Sequence, residues 1–375
     1  MNTRTTSGIW PASLILLAIF TWFLRKYLGS DFFLFAYALS IALLAVLEFK
    51  TVRADLLLAT LGIYILVFIS SLVAEGYTLG DRLMGCFHFV ATTVLAYAVW
   101  RSRYVTQLSA IIFYSYFIFL QIVFASLGWD QDAYNFILTD SSRNVLSSYL
   151  LLFSIFFYAA RYFSKRTFSP LVATLSFIGC IELYGRSGIA LSAILLLAIA
   201  FIRYRTDSRI LLLLICAATL SIIASLLLAN LDSLAAFISE GTNLKRGLES
   251  ERYRMWSEYI SFMDVRGLFF GESIEKCCST MVAYGTNPHN AFIAGHAKHG
   301  LIHTIIFALI YMYVILNRRL LPIFFMTIIY IRYFLDTLGL FAPYDFIIFY
   351  IALSIYPYKL DERSSSKIAP SLARF

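Results

Sequence analysis

Asn287-Pro288-His289-Asn290-Ala291-Phe292-Ile293-Ala294-Gly295-His296-Ala297-Lys298-His299-Gly300-Leu301-Ile302-His303 lies where a long polar segment ends and an apolar run begins. That run continues to residue 316, and about 20 mostly apolar residues are enough to cross a bilayer as a helix. Four of the five histidines of the 375-residue chain fall between 289 and 303. One stretch therefore bears on both fold and chemistry: it reads as a membrane helix whose entrance carries imidazoles.

The composition agrees with a membrane helix. Hydrophobic residues make up 60% of the chain and charged residues 14%, with a mean hydropathy of +0.78. A soluble domain carries about 25% charged residues and cannot hide this much apolar surface in one core. The expectation is an all-α, polytopic integral membrane helix bundle. Apolar runs near 8–24, 31–48, 54–74, 84–100, 105–127, 145–160, 168–184, 187–202, 210–229, 289–316, 320–336 and 342–357 predict about 12 transmembrane helices.

Basic residues test that count, because Lys and Arg collect in cytoplasmic loops. Arg4, Lys50 and Arg53, Arg101 and Arg103, Arg161, Lys165 and Arg166, Arg203, Arg205 and Arg209, Arg318 and Arg319, and the tail from Lys359 to Arg374 all fall on one side under this topology. Both termini are then cytoplasmic. The net charge of +8 is accounted for by these loops, and nucleic acid is not expected as a partner. The first run ends at Arg25-Lys26 without an A-x-A-like cleavage site, which reads as a retained helix. The chain divides into an N-terminal bundle of about nine spans (1–229), a large outer loop (230–288), C-terminal helices (289–357) and a polar tail (358–375).

The outer loop is the exception to short connections, and loops beyond about 12–15 residues are uncommon unless functional. Within 249–263, Trp256, Tyr259, Ile260 and Met263 follow the i, i+3, i+4, i+7 spacing of an amphipathic helix, one lying on the membrane surface or capping the bundle. Arg252 falls one turn before Trp256, on the edge of that stripe. Arg254 reads either as a ligand contact or as an ion pair with Glu251 or Glu258. Arg266-Gly267-Leu268-Phe269-Phe270-Gly271 reads as a turn returning the chain to the membrane.

A second outer position is Glu182-Leu183-Tyr184-Gly185-Arg186-Ser187-Gly188, between two closely spaced apolar runs. Arg186 opens a helix there, where the dipole favours anions, and its partner is either Glu182 or an anionic ligand. Arg332 and Asp336, one turn apart in the eleventh run, read as a structural ion pair. Among the histidines, His299 and His303 have the i, i+4 spacing of a metal pair, but the helix lacks both H-E-x-x-H and a nearby carboxylate. No metal or cofactor is expected. His296, His299 and His303 read as interhelical hydrogen-bonding residues. His289, at the water boundary behind Pro288, can titrate near neutral pH and serve as a general base. Cys86, Cys277 and Cys278 all lie near the outer side, where a bridge from Cys86 to one of the adjacent pair and unpaired thiols both remain open.

Taken together, Gly185-Arg186-Ser187-Gly188 at a helix start, Arg252-x-x-x-Trp256 in a long outer loop, Gly271, and Pro288-His289-Asn290 followed by His299-Gly300-Leu301-Ile302 resemble the bacterial O-antigen polymerase and O-antigen ligase family. The likeness covers about 185–316. It departs from the family at His303, where a small residue is common, and at Glu272-Ser273, where a second glycine is usual.

The resemblance implies a metal-independent glycosyltransferase of the bacterial inner membrane, acting at the periplasmic face in lipopolysaccharide or exopolysaccharide biosynthesis. Its donor would be an undecaprenyl-diphosphate-linked glycan. By motif, Arg186 and Arg252 would hold the diphosphate, with Arg254 a further candidate, and His289 would act as catalytic base on the acceptor hydroxyl. The reading favours a polymerase, with a chain-length regulator as a candidate partner. A ligase acting on lipid A core is the alternative within the family, and a lipid-glycan flippase the alternative outside it.

Overall fold

The computed structural model describes residues 8–49, 52, 54–74, 76–130, 132–139, 142–204, 251–283, 285–339 and 341–356. The expected ninth span at 210–229, the first part of the expected outer loop (230–250) and the tail from 358 lie outside the described residues.

All regular structure among the described residues is helical. Helices satisfy their own backbone groups, as lipid requires. The first eight are α1 (Ile9–Leu28), α2 (Asp31–Phe49), α3 (Ala54–Val73), α4 (Leu79–Arg101), α5 (Val105–Ser126), α6 (Arg143–Phe163), α7 (Leu171–Glu182) and α8 (Arg186–Tyr204). The outer segment carries α9 (Glu251–Phe262), α10 (Val265–Phe270), α11 (Ile274–Cys277) and α12 (Ser279–Ala283). The C-terminal part holds α13 (Ala291–His299), α14 (Leu301–Leu316), α15 (Leu320–Phe334) and α16 (Phe346–Ile355).

Among the described residues, six helices are long and apolar enough to cross a membrane. By length and composition these helices are compatible with a multi-pass membrane protein. Besides α3, which has 20 residues, the other apolar runs give shorter helices: α7 has 12 residues, α14 has 16, α15 has 15 and α16 has 10. At 1.5 Å per residue, α7 is only about 18 Å long. The run at 289–316 is not one helix. It breaks at Gly300 into α13 and α14.

The bundle is organised around α6, which is buried without interruption from Leu146 to Ala160. A helix apolar on every side belongs inside other helices. Its serines do not interrupt it, because Ser147 and Ser148 bond back to the Asn144 carbonyl and Ser154 to that of Leu151. Helices α5, α7, α8, α15 and α16 pack around α6, and α1 to α4 continue the bundle beyond them. At one end of the bundle, Arg101 closes α4 and pairs with Glu48 of α2 at 3.2 Å. The N-terminal ends of α6 and α8 and the C-terminal end of α15 meet at the opposite end, where the candidate site lies.

Helices α9 to α12 form a cap on that end with a small core of its own. Met255, Tyr259, Ile274, Cys278 and Met281 pack there against Ala297 of α13. Of the two readings of the amphipathic stripe, the structure favours capping: Tyr259 is buried, while Ile260 is 65% exposed.

Candidate functional site

The segment before α13 is shaped by two asparagines. Asn287 Oδ1 accepts the His289 backbone N–H at 2.9 Å. Asn290 is the N-cap, its side chain accepting from the N–H groups of Phe292 (2.9 Å) and Ile293 (3.2 Å). The helix therefore starts from Asn290, whose side-chain acceptor satisfies two of its orphan N–H groups. Pro288 is buried, and its carbonyl accepts the Trp256 indole N–H at 2.9 Å. His289, between the asparagines, has a φ of +48°. This left-handed region is uncommon for a residue with a side chain and tends to persist where the surroundings enforce it.

Two glycines lock the cap to the α13–α14 break. Gly271 (φ +88°) and Gly300 (φ +66°) lie where backbones meet. A Cβ on Gly271 would strike the carbonyl oxygens of His296 and Ala297, and one on Gly300 would strike the backbone of Phe269 and Phe270. Gly271 and Gly300 thus sit on the two sides of one backbone contact.

Arg252 reaches across to α15, donating from Nη1 to the Leu335 carbonyl at 2.8 Å. The next residue, Asp336, belongs to a buried polar hub. Arg332 Nη2 meets Asp336 Oδ2 at 3.3 Å and donates to the Asn144 carbonyl at 2.6 Å. Nη2 also lies 3.2 Å from the Ser147 hydroxyl on α6, while Nε and Nη1 donate to the hydroxyls of Ser148 on α6 and Ser187 on α8. With its guanidinium directed at protein acceptors, Arg332 ties three helix ends together, consistent with a structural ion pair. Ser187 immediately follows Arg186, so this hub fixes the start of α8. The Arg186 side chain lies outside the described residues.

His289 lies within electrostatic reach of both Arg252 and Asp336. Burial first, and then the Arg252 guanidinium, hold the imidazole below its usual range, opposed by the Asp336 carboxylate. An imidazole held this way is neutral at neutral pH and able to accept a proton. Arg252, His289 and the α8 start are thus gathered around the Arg332–Asp336 hub.

Arg254 is placed differently. Two positions along a helix are about 200° apart, so it faces away from Arg252. It is mostly exposed and pairs with Glu258 at 3.4 Å. Glu258 in turn accepts from the Thr280 backbone N–H and hydroxyl, and those bonds, ahead of Arg254, lower its pKa. Of the two readings of Arg254, this geometry matches the ion pair.

The deeper histidines hold the cap and the helices in place. His296 donates from Nε2 to the Leu268 carbonyl at 2.9 Å, which leaves Nδ1 to accept from the Tyr259 hydroxyl at 2.8 Å. His299 Nδ1 lies 2.7 Å from Ser71 Oγ on α3. Ser71 Oγ also lies 2.6 Å from the Val67 carbonyl, and the His299–Ser71 contact ties α13 to α3. His303 is buried against Phe307 and Phe341. Among the described residues, no three His, Cys, Asp or Glu side chains form a metal-binding group.

Three further positions lie around this end of the bundle. Glu182 accepts from Gln121 Nε2 at 2.7 Å. Cys277 and Cys278 are bonded to each other, while Cys86 is a free, half-buried cysteine. Among the outer aromatics, Trp129 is 52% exposed, whereas Tyr134 is buried against Phe124.

The hub serines were the part of this site that the sequence reading missed. Ser147-Ser148 within the apolar α6 run and Ser187 beside Arg186 were the available signals. No family model, no curated protein and no solved structure matches the chain.

Proposed function

We propose that this protein is a polysaccharide polymerase of the O-antigen polymerase type. It would transfer a glycan from undecaprenyl diphosphate onto a carrier-linked repeat unit at the periplasmic face of the bacterial inner membrane. The observation that carries the reading is the gathering of Arg252, His289 and the Arg186 helix start around one buried hub at one end of the bundle. About 12 spans, cytoplasmic termini and a periplasmic cap over 230–288 belong to the same proposal.

Breaking a sugar–diphosphate bond builds negative charge on the leaving oxygen. Guanidinium forks aimed at that oxygen stabilise it, and one such donor is worth about 3–4 kcal/mol in the transition state. Arg186, at a helix N-terminus, and Arg252, on the cap, are assigned this task. Arginine suits it because its charge persists at any working pH and its donors are bidentate. His289, held neutral, takes the proton from the acceptor hydroxyl as that oxygen attacks the anomeric carbon. The diphosphate departs from the opposite face, so the anomeric centre inverts. Arg254, on the far side of α9, is left outside the diphosphate contact.

Reconstitution of the purified protein in liposomes, with an undecaprenyl-diphosphate-linked repeat unit as sole substrate, tests the reading. A ladder of longer carrier-linked products supports a polymerase. Transfer only after lipid A core is added means a ligase. Movement of the lipid between leaflets without bond formation means a flippase.

A further inference from the structure

The capping role of α9 leaves one apolar surface on the cap unexplained. Its buried side takes Met255 and Tyr259, with Trp256 half-buried, so the large apolar side chains that remain outside gather at its last turn and on α10. Ile260 and Phe262 are more than half exposed; so are Val265 (75%) and Phe269, and Leu268 is 41% exposed. Val265, Leu268 and Phe269 hold the i, i+3, i+4 positions of one helical face. Five such side chains within ten residues make an apolar patch of a kind that soluble surfaces rarely carry.

The surroundings identify what covers it. Helix α10 packs on α3, α13 and α14. On α3, Ile69, Leu72 and Val73 are exposed, and on α14 so is Ile305. The patch therefore continues the surface that these apolar helices turn toward lipid. Both ends of α10 are capped: Asp264 accepts the Gly267 N–H at 2.6 Å, and the Gly271 N–H closes on the Gly267 carbonyl. Arg266, exposed beside Val265, has the reach to place its charge at the level of lipid phosphates while its stem stays in the apolar zone.

We propose that α10, with the last turn of α9, is embedded in the bilayer leaflet on the His289 side, its partner being lipid acyl chains. This interfacial wedge sets the depth at which the cap, and Arg252 with it, meets the headgroup layer. The proposal rests on the multi-pass fold and not on the assigned reaction.

The test is photocrosslinking of the full chain in phosphatidylethanolamine–phosphatidylglycerol nanodiscs, with benzoylphenylalanine replacing Val265, Phe269 or, as an aqueous control, the exposed Lys276. Lipid adducts at 265 and 269 several-fold above those at 276 are expected. Adducts within the chain or to a second copy, or lipid yields equal to the control, would overturn the proposal. Folding of each variant is checked by its elution as a single species.

Discussion

Arg252 and Leu335, 83 residues apart, are joined by a 2.8 Å hydrogen bond from the guanidinium to the backbone carbonyl. That bond brings the cap to the residue preceding Asp336, and so to the hub that holds α6, α8 and α15. Losing it removes both a positive charge and an anchor. Arg252→Ala is expected to lower transfer about 10²–10³-fold, and Arg252→Lys to recover only part, because an ammonium lacks the planar fork. Equal rates for the lysine variant and the unaltered protein would count against a bidentate role.

His289 can be tested apart from its strained backbone. Asparagine tolerates a positive φ better than most residues, so His289→Asn keeps the local turn while removing the imidazole. Transfer should fall about 10²–10⁴-fold, the usual contribution of a general base, with the thermal midpoint nearly unchanged. Retained activity would remove His289 from the chemistry.

The ionisation of His289 has a defined direction. Its folded pKa lies below the usual value of about 6.5, so transfer should be constant on the alkaline side and decline as pH falls through the lowered value. Arg252→Gln removes one cause of the lowering and should move the midpoint up; Asp336→Asn removes the opposing carboxylate and should move it down. An NMR titration of labelled histidine reads both shifts without requiring activity. Opposite signs would show that these charges do not govern the imidazole.

The Arg332–Asp336 pair should matter first for stability. Removing one partner of a buried, hydrogen-bonded ion pair costs about 3–5 kcal/mol, so Arg332→Ala should depress the thermal midpoint sharply. By contrast, Arg254→Ala breaks an exposed pair and should change stability by less than about 1 kcal/mol, with transfer nearly intact. A large loss of transfer in Arg254→Ala would restore it to the diphosphate site.

Gly271→Ala and Gly300→Ala should each destabilise by more than the usual glycine-to-alanine strain, because both combine a positive φ with a backbone collision. Loosening of the cap would appear as faster proteolysis within 251–283.

Much of the fold could be read from hydropathy, because lipid leaves few options for a long apolar run. Less legible was where a run divides. The segment 289–316 reads as one helix until Gly300 is seen facing Phe269 and Phe270, a contact between segments that periodicity does not encode. The candidate site was legible through charge: arginines and histidines stand out where charge is rare. Its organisation was not, because the acceptors for Arg332 are common serines on α6 and α8, whose importance depends on which helix ends meet. Likewise the apolar spacing on α9 was visible, but which of its side chains turn inward was clear only once Met255 and Tyr259 were seen inside the cap and Ile260 outside it.

The most direct measurement compares the unaltered protein with His289→Asn in liposomes containing only the undecaprenyl-diphosphate-linked repeat unit, with products resolved by length. The account predicts a ladder from the unaltered protein and none from the variant. Ladders of equal length and yield from both, or no glycosidic bond formed by the unaltered protein even with lipid A core supplied, would contradict it.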